Sequence, residues 1–470
     1  MDIDDYRKRV AKRRKKRAFQ NLLLIIALIL VLCLTVFAIF TLIKHTGKAA
    51  PVSSVTENSF AFATSSQAWE SGETDVPPSL PAVETAKDLL AEAEQLALQY
   101  DYDGAIKLIQ SDESLASSPE GLEKISQYQS TKDTLVRINP EEVTHVFFHS
   151  LIMDTSKAFD GDSRQNGYNQ MMTTASEFIK IMESMYEKGY VLVRLHDLAY
   201  ETTDDQGNPV FVYGDIMLPP GKKAFVLSQD DVCYYEYMEG DGFASRIVIG
   251  EDGYPTCEMK LEDGTVVTGD YDLVPILERF IQEHPDFSYK GARGVLAFTG
   301  YNGILGYRTD ESYKDTNPTY EEDRKQAAQV AQCLKEHGWE LASHSWGHRN
   351  MGSISMEHFR LDCDKWEANV ETLIGPTDII LFPFGSDIGS WKPYTDDNER
   401  FAYLKSLGFR YFCNVDASKP YWVQMGQDHF RQGRRNLDGY RMYYNPDSLT
   451  DLFDVSQVFD PSRPLPVPPM

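Results

Sequence analysis

Apolar and polar positions change their pattern four times along this chain, and each change predicts a different kind of structure. Residues 1–17 carry nine Lys or Arg with no apolar face, and Leu22 to Ile43 then runs without one charged side chain. About 20 apolar residues at 1.5 Å rise cross the ~30 Å hydrocarbon core. The pattern therefore predicts a basic cytoplasmic tail over 1–18 and a transmembrane helix over 19–43. A cleaved secretory signal is the competing reading, but its apolar stretch is usually ~7–15 residues and closes on small residues. Here Lys44-His45-Thr46-Gly47-Lys48 follows, with no such site. The basic flank stays inside, which predicts a single-pass protein of the cell membrane with its remaining chain outside.

From 44 to 84 the periodicity dissolves into Ser, Thr, Pro, Glu and Ala, a composition that cannot offset the entropy of ordering. This stretch reads as a flexible extracellular linker. A helical period returns between Ala86 and Val136 (Leu89, Leu90, Ala93, Leu96, Ala97, then Ala105, Ile106, Leu108, Ile109), with a turn at Asp101-Tyr102-Asp103-Gly104. Residues 85–138 are similar to one tetratricopeptide helical hairpin. A lone hairpin cannot bury its own face, so a short stalk packed on the next domain is expected; recruitment of a protein partner is the lesser option.

Beyond Glu142, short β-branched or aromatic runs alternate with amphipathic helices. Val143 to His149, Gly189 to Leu195, Lys223 to Ser228, Gly294 to Thr299, Trp339 to Ala342, Ile379 to Pro383 and Phe409 to Cys413 read as strands. Phe178 to Lys188, Val274 to Gln282, Glu321 to His337, Ser355 to Ile374 and Glu399 to Leu407 read as helices. Such alternation implies an α/β fold. The expected domain, 139–460, is a distorted (β/α) barrel of about seven parallel strands, ending in a Pro-rich tail over 461–470. Tyr237 to Asp272 contains Asp-Gly turns and reads as a β-hairpin insertion over one mouth of the barrel.

Charge narrows the partners. The chain has 46 basic against 71 acidic residues, a net charge of −25, and nine of the basic ones lie in the tail. An acidic exterior disfavours nucleic acid, which requires clustered Lys or Arg. It suits a neutral or amine-bearing ligand. Six scattered cysteines with no C-x-x-C exclude a disulfide framework and a thiolate zinc site.

The chemistry concentrates in two places. His344 and His348, four apart, are expected on one side of a helical turn, where they would share a metal with a distant carboxylate and an open position for water. Asp230 and Asp231 follow the apolar run AFVLS, at the carboxyl end of a strand, where barrel active sites collect. One carboxylate could bind metal while its neighbour takes a proton. Taken singly, each pair reads as well as an ordinary loop cap or packed histidines; their combination with the strand end Leu381-Phe382-Pro383-Phe384-Gly385 shifts that balance.

Together these motifs resemble the polysaccharide deacetylases of the NodB-homology type, carbohydrate esterase family four, over roughly Glu142 to Phe459. The family's T-F-D-D-G stands as Ser228-Gln229-Asp230-Asp231-Val232, its H-[ST]-x-x-H as His344-Ser345-Trp346-Gly347-His348, and its R-x-P-[YF] as Leu381-Phe382-Pro383-Phe384. The resemblance implies Asp230 as general base, Asp231, His344 and His348 as ligands of a divalent metal, most simply Zn2+, and Ser345 as the residue orienting the loop. It implies hydrolysis of N-acetyl groups on amino sugars of a cell-surface polysaccharide or peptidoglycan. A backbone N–H near Val232 or Cys233 is expected to help stabilise the oxyanion.

Three positions depart from the family. Leu381 replaces the arginine that orients the base, Val232 replaces a glycine, and no histidine follows Tyr444 to serve as general acid. His149 and His429 are the substitute acids. Pro383, Phe384, Tyr234, Trp346, Arg431 and Trp422 are expected to bind substrate, with Tyr235 and Tyr421 as further aromatic walls. Arg434, Arg435 and Asp438 either line the cleft or form a salt-bridged loop. The rival readings are a catalytically silent, membrane-tethered glycan-binding protein on the same fold, and an O-acetyl esterase or other amidase.

Overall fold

The computed structural model of the protein describes residues 82–470. The basic tail, the expected transmembrane helix and the linker up to residue 81 lie outside the described residues. Among the described residues no helix is long and apolar enough to cross a membrane.

Seven parallel strands close a barrel: β1 (Thr144–Phe148), β2 (Lys223–Gln229), β3 (Val295–Phe298), β4 (Glu340–Ser343), β5 (Ile379–Leu381), β6 (Tyr411–Val415) and β7 (Phe430–Asn436). Each pairs with the next in chain order, and β7 returns to β1 through Arg434↔His145 and Asn436↔Phe147. Strand side chains alternate between faces, so every strand offers one set to the lumen and one to the surrounding helices. The lumen is apolar toward the strands' amino ends, where Ala224, Val226, Ala297, Ala342, Ile379, Tyr411 and Phe430 meet. Near the carboxyl ends it turns polar, with His145, Ser228, Gln432 and Arg434 in mutual contact. Outward-facing Phe148, Phe225, Leu227, Phe298, Ile380 and Phe412 belong to the larger core shared with the helices.

Six of the seven ring strands coincide with apolar runs of the sequence. The seventh does not. Of the ring strands, Tyr190–Leu192 pairs with β2 alone, at Lys223–Phe225, and stays outside the ring, because the far half of β2, Ser228 and Gln229, turns to β3 instead. Its expected place is filled by Phe430–Asn436, a strand that sequence patterning cannot show. Its FRQGRRN run is fully buried yet carries three arginines, each answered by a carboxylate from elsewhere: Asp387, Asp230 and Asp451. Buried charge of this kind exists only when paired.

The insertion is a three-stranded antiparallel sheet (Arg246–Ile249, Pro255–Lys260, Val266–Gly269). Its strands pack against the helices Leu273–Glu283 and Tyr320–Glu336. Its inward residues Ile247 and Cys257 are buried in the main core, which fixes it to the barrel's side. The helical stalk consists of Ala82–Leu98, Tyr102–Gln110, Glu113–Ser117 and Pro119–Lys132 around a small core of its own. Tyr100 anchors it: its hydroxyl donates to the Asp286 carbonyl at 2.8 Å and its ring stacks on Tyr289. That contact precedes β3, at the barrel end opposite the carboxyl rim. The Pro-rich segment is not a loose tail, since Arg463 forms a fully buried pair with Glu177 and Val467 is buried. The five cysteines of the described residues are buried and free.

Candidate active site

At the carboxyl ends of β2, β4 and β5 the backbone leaves its ordinary conformations. Asp231 (φ 57°), Ser345 (φ 59°), His348 (φ 47°) and Phe384 (φ 57°) all occupy the left-handed region without being glycine. Each such residue costs roughly 1–3 kcal/mol and persists only when its surroundings over-determine it. Here Asp362 does so, accepting the N–H groups of Trp346 and Gly347 at 2.8 and 2.9 Å. Ser345 Oγ accepts from Arg349 N at 3.1 Å, so it orients the loop. The two histidines therefore sit on a strand-end loop, not on the helical turn that their spacing suggested.

Asp231, His344 and His348 converge, each offering one ligand atom within 4.8 Å of the others. His344 Nδ1 lies 2.7 Å from the Leu381 carbonyl and must donate to it, which leaves Nε2 with a free lone pair. Such an outer partner fixes the tautomer of a metal-binding imidazole. His344 Nε2 stands 3.8 Å from Asp230 and 4.0 Å from Asp231, and His348 Nε2 3.7 Å from Asp231. These gaps are too long for hydrogen bonds, so the groups face one another without pairing. Tyr235 donates to Asp231 Oδ1 at 2.8 Å and orients that carboxylate. Two imidazole nitrogens and one carboxylate suit zinc or a neighbouring transition metal and not an all-oxygen cation. The residues fit the group.

Asp230 lies beside this triad, 3 % exposed, and is clamped by Arg434 of β7 through Nη1–Oδ1 at 2.6 Å and Nη2–Oδ2 at 3.0 Å. Burial alone would raise its pKa, but the Arg434 charge, with His344 next, holds it far below the usual carboxylate range. Asp230 is thus an ionised, oriented carboxylate. The arginine missing at Leu381 is supplied by a different strand, and Leu381 contributes its carbonyl to His344 instead. No motif spacing pointed to Arg434 as the clamp; the only signal was the density of arginines in residues 431–435.

A cavity of about 470 Å³ opens over these groups, lined also by Phe147, His149, Tyr237, Phe384, Asn436, Asp438 and Tyr440. Of the two expected acids, only His149 is there. Its Nδ1 bonds the Met171 carbonyl at 3.0 Å, leaving Nε2 as the free ring nitrogen. Asp438 is buried, which raises its pKa, while His149 acts in the opposite sense. His429 instead packs among Tyr394, Phe401 and Phe412 beside Asp428, away from the cavity.

Phe384, 69 % exposed, covers His348 at 4.6 Å between ring centroids, with Pro383 buried behind it. The other expected substrate contacts lie elsewhere. Tyr234 is buried, donating to Asp272; Trp346 is tied to Asp310 under Lys365. Arg431 faces out of the barrel to Asp387 and Tyr394, and Trp422 meets Trp391 edge-on. Strand alternation explains Arg431, since it puts residues 431 and 435 on one face and 434 on the other. The Val232 and Cys233 N–H groups are taken by the carbonyls of Ala297 and Asp231, so neither serves an oxyanion.

Residues 310–412 match the family described as polysaccharide deacetylase. The chain carries a polysaccharide deacetylase domain. The matched segment holds His344, His348 and Leu381–Phe384, whereas Asp230, Asp231 and Arg434 lie outside it. Two solved structures are similar. One is the Streptococcus pyogenes deacetylase PplD in complex with acetate, at 11% identity over 70% of this chain and 100% of that one, TM-score 0.34. The other is BA0330 of Bacillus anthracis, described as a candidate polysaccharide deacetylase, at 11% identity and TM-score 0.34; the match covers 63% of this chain and 64% of that one. No curated protein matches the sequence.

Proposed function

We propose that this protein hydrolyses N-acetyl groups on amino sugars of a cell-surface polysaccharide or peptidoglycan, with a divalent metal, zinc by preference, held by Asp231, His344 and His348. The observation that carries the reading is an ionised, arginine-clamped Asp230 set against an unpaired His–His–Asp cluster in one cavity. When bound there, the cation supplies Lewis acidity, acidifying a water and offsetting charge on the acetamide oxygen. Asp230 accepts the proton of the attacking water. His149, with Nδ1 on the Met171 carbonyl and a second hydrogen on Nε2, delivers that proton to the departing nitrogen as the C–N bond breaks; acetate and a free amine leave, and the proton held by Asp230 returns to the imidazole through solvent. Phe384 shields His348 from solvent and gives the sugar an apolar face.

The uncharged stretch 22–43 behind a basic tail supports membrane anchoring with the deacetylase domain outside. The Arg434 clamp favours a working enzyme over a silent glycan-binding protein, because it supplies what Leu381 lacks. The full-length protein with zinc is expected to release acetate from N-acetylglucosamine oligomers and not from O-acetylated glycans. Asp230→Asn and His348→Ala should each abolish the release. Bound zinc without acetate release from any N-acetylated glycan would refute the proposal.

A further inference from the structure

Beneath the base, the barrel lumen holds a row of polar side chains that the proposed chemistry does not touch. Gln432, His145, Ser228 and Arg434 are all 0 % exposed. Gln432 Nε2 donates to the Val143 carbonyl at 3.0 Å, so its Oε1 is the atom facing His145 Nδ1 at 3.0 Å. An amide oxygen can only accept, which places the imidazole hydrogen on Nδ1. Burial first, then the nearby Arg434 charge, push the His145 pKa down to about 3, so the ring is neutral and Nε2 is bare. That nitrogen accepts the Ser228 hydroxyl hydrogen at 2.9 Å. With its hydrogen spent, Ser228 Oγ can only accept from Arg434 Nη1 at 3.2 Å. The same Nη1, with Nη2, grips Asp230.

We infer that Gln432, His145 and Ser228 are positioning residues, forming a one-directional hydrogen-bond relay that sets the Arg434 guanidinium and, through it, the orientation of Asp230. Each link admits one hydrogen arrangement, because reversing any of them leaves two donors or two acceptors face to face in a site without solvent. The Phe147 ring lies 4.4 Å from the guanidinium, and Arg434 Nε has no hydrogen-bond partner among the described residues. The neighbouring lumen shows the alternative: Ala224, Val226, Ala297, Ala342 and Leu381 fill it with apolar side chains. Apolar packing of similar volume is commonly at least as stable as a buried polar set, so stability does not require the relay, whereas direction does.

The relay rests on the deacetylase reading, and two measurements on the full-length, zinc-loaded protein separate them. 15N NMR of histidine-labelled protein is expected to show His145 at neutral pH as the Nδ1–H tautomer. The Nε2–H tautomer, or an imidazolium, overturns the relay whatever the activity. In acetate release from N-acetylglucosamine oligomers, Ser228→Ala is expected to lower kcat about 10- to 100-fold with KM and zinc affinity unchanged, and Ser228→Thr, which keeps the hydroxyl, to restore it. An unchanged kcat in Ser228→Ala, or parallel losses in KM and zinc affinity, overturns the relay. If Asp230→Asn keeps full activity, the deacetylase reading falls, and the tautomer measurement still decides the relay.

Discussion

The barrel carries a histidine flanked by two carboxylates at each end, and the two are built to opposite purposes. At the amino end His196 is saturated: Nδ1 bonds Glu340, and Nε2 meets Asp378 at 3.1 Å. Burial lowers its pKa, but the hydrogen bonds to Asp378 and Glu340 outweigh this and raise it to about 10. That ring is a fixed cation stapling strand β4 to the start of β5. At the carboxyl end His344 has its Nδ1 tied to a carbonyl and its Nε2 held 3.8 and 4.0 Å from Asp230 and Asp231. Burial lowers the His344 pKa, so the ring keeps a lone pair. Identical residue types thus give a closed ion pair or an open ligand set, and the difference is about an ångström of separation maintained by strained backbone.

The comparison can be broken most severely at the open end. Asp230→Asn should reduce acetate release about 10²- to 10⁴-fold while zinc stays bound, measured by steady-state kinetics beside metal analysis. Retained turnover would make this cluster as inert as the one around His196. Arg434→Gln leaves a buried carboxylate unpaired and should cost about 3–5 kcal/mol in urea unfolding; a loss below about 1 kcal/mol would mean that the clamp behaves like a surface pair. Tyr235→Phe frees one oxygen of Asp231 and should weaken zinc binding about 10- to 100-fold, read by chelator competition, with little change in unfolding.

The smallest effect belongs to the closed end. His196 is raised from 6.5 to about 10, so its contribution is complete below pH 6.5, declines above it and is gone past pH 10. Its side chain is 40% exposed, and solvent screening reduces the value of the pair to about 1 kcal/mol. His196→Ala should therefore lower stability by that amount at pH 6 and by nothing near pH 11. Zinc affinity should be untouched throughout. A pH-independent difference would show that packing on Tyr411, not charge, is what the ring supplies.

Chemistry encoded locally was legible in advance. The Asp230-Asp231 doublet follows an apolar strand, and His344 and His348 follow another, and it was the combination of these strand-end motifs with Leu381–Gly385 that nominated all four. His429, Tyr234, Trp346, Arg431 and Trp422 were nominated by residue type alone, and each is occupied in packing or pairing elsewhere. The alternation of strands and helices yielded six ring strands, while β7 stayed hidden because charges occupy positions where apolar residues normally announce a buried strand.

By itself, then, the amino-acid order determined the α/β alternation, the stalk's helices and the identity of the residues that meet in the cavity, since period and motif are properties of neighbouring residues. Only the closed barrel decided that Arg434 would clamp Asp230 where Leu381 cannot, and that His149 and not His429 would line the cavity. It also decided that Gln432, His145 and Ser228 would line up beneath the base. Those pairings join residues some 80 to 290 positions apart, and a buried charge is stable only beside the partner that the fold delivers to it.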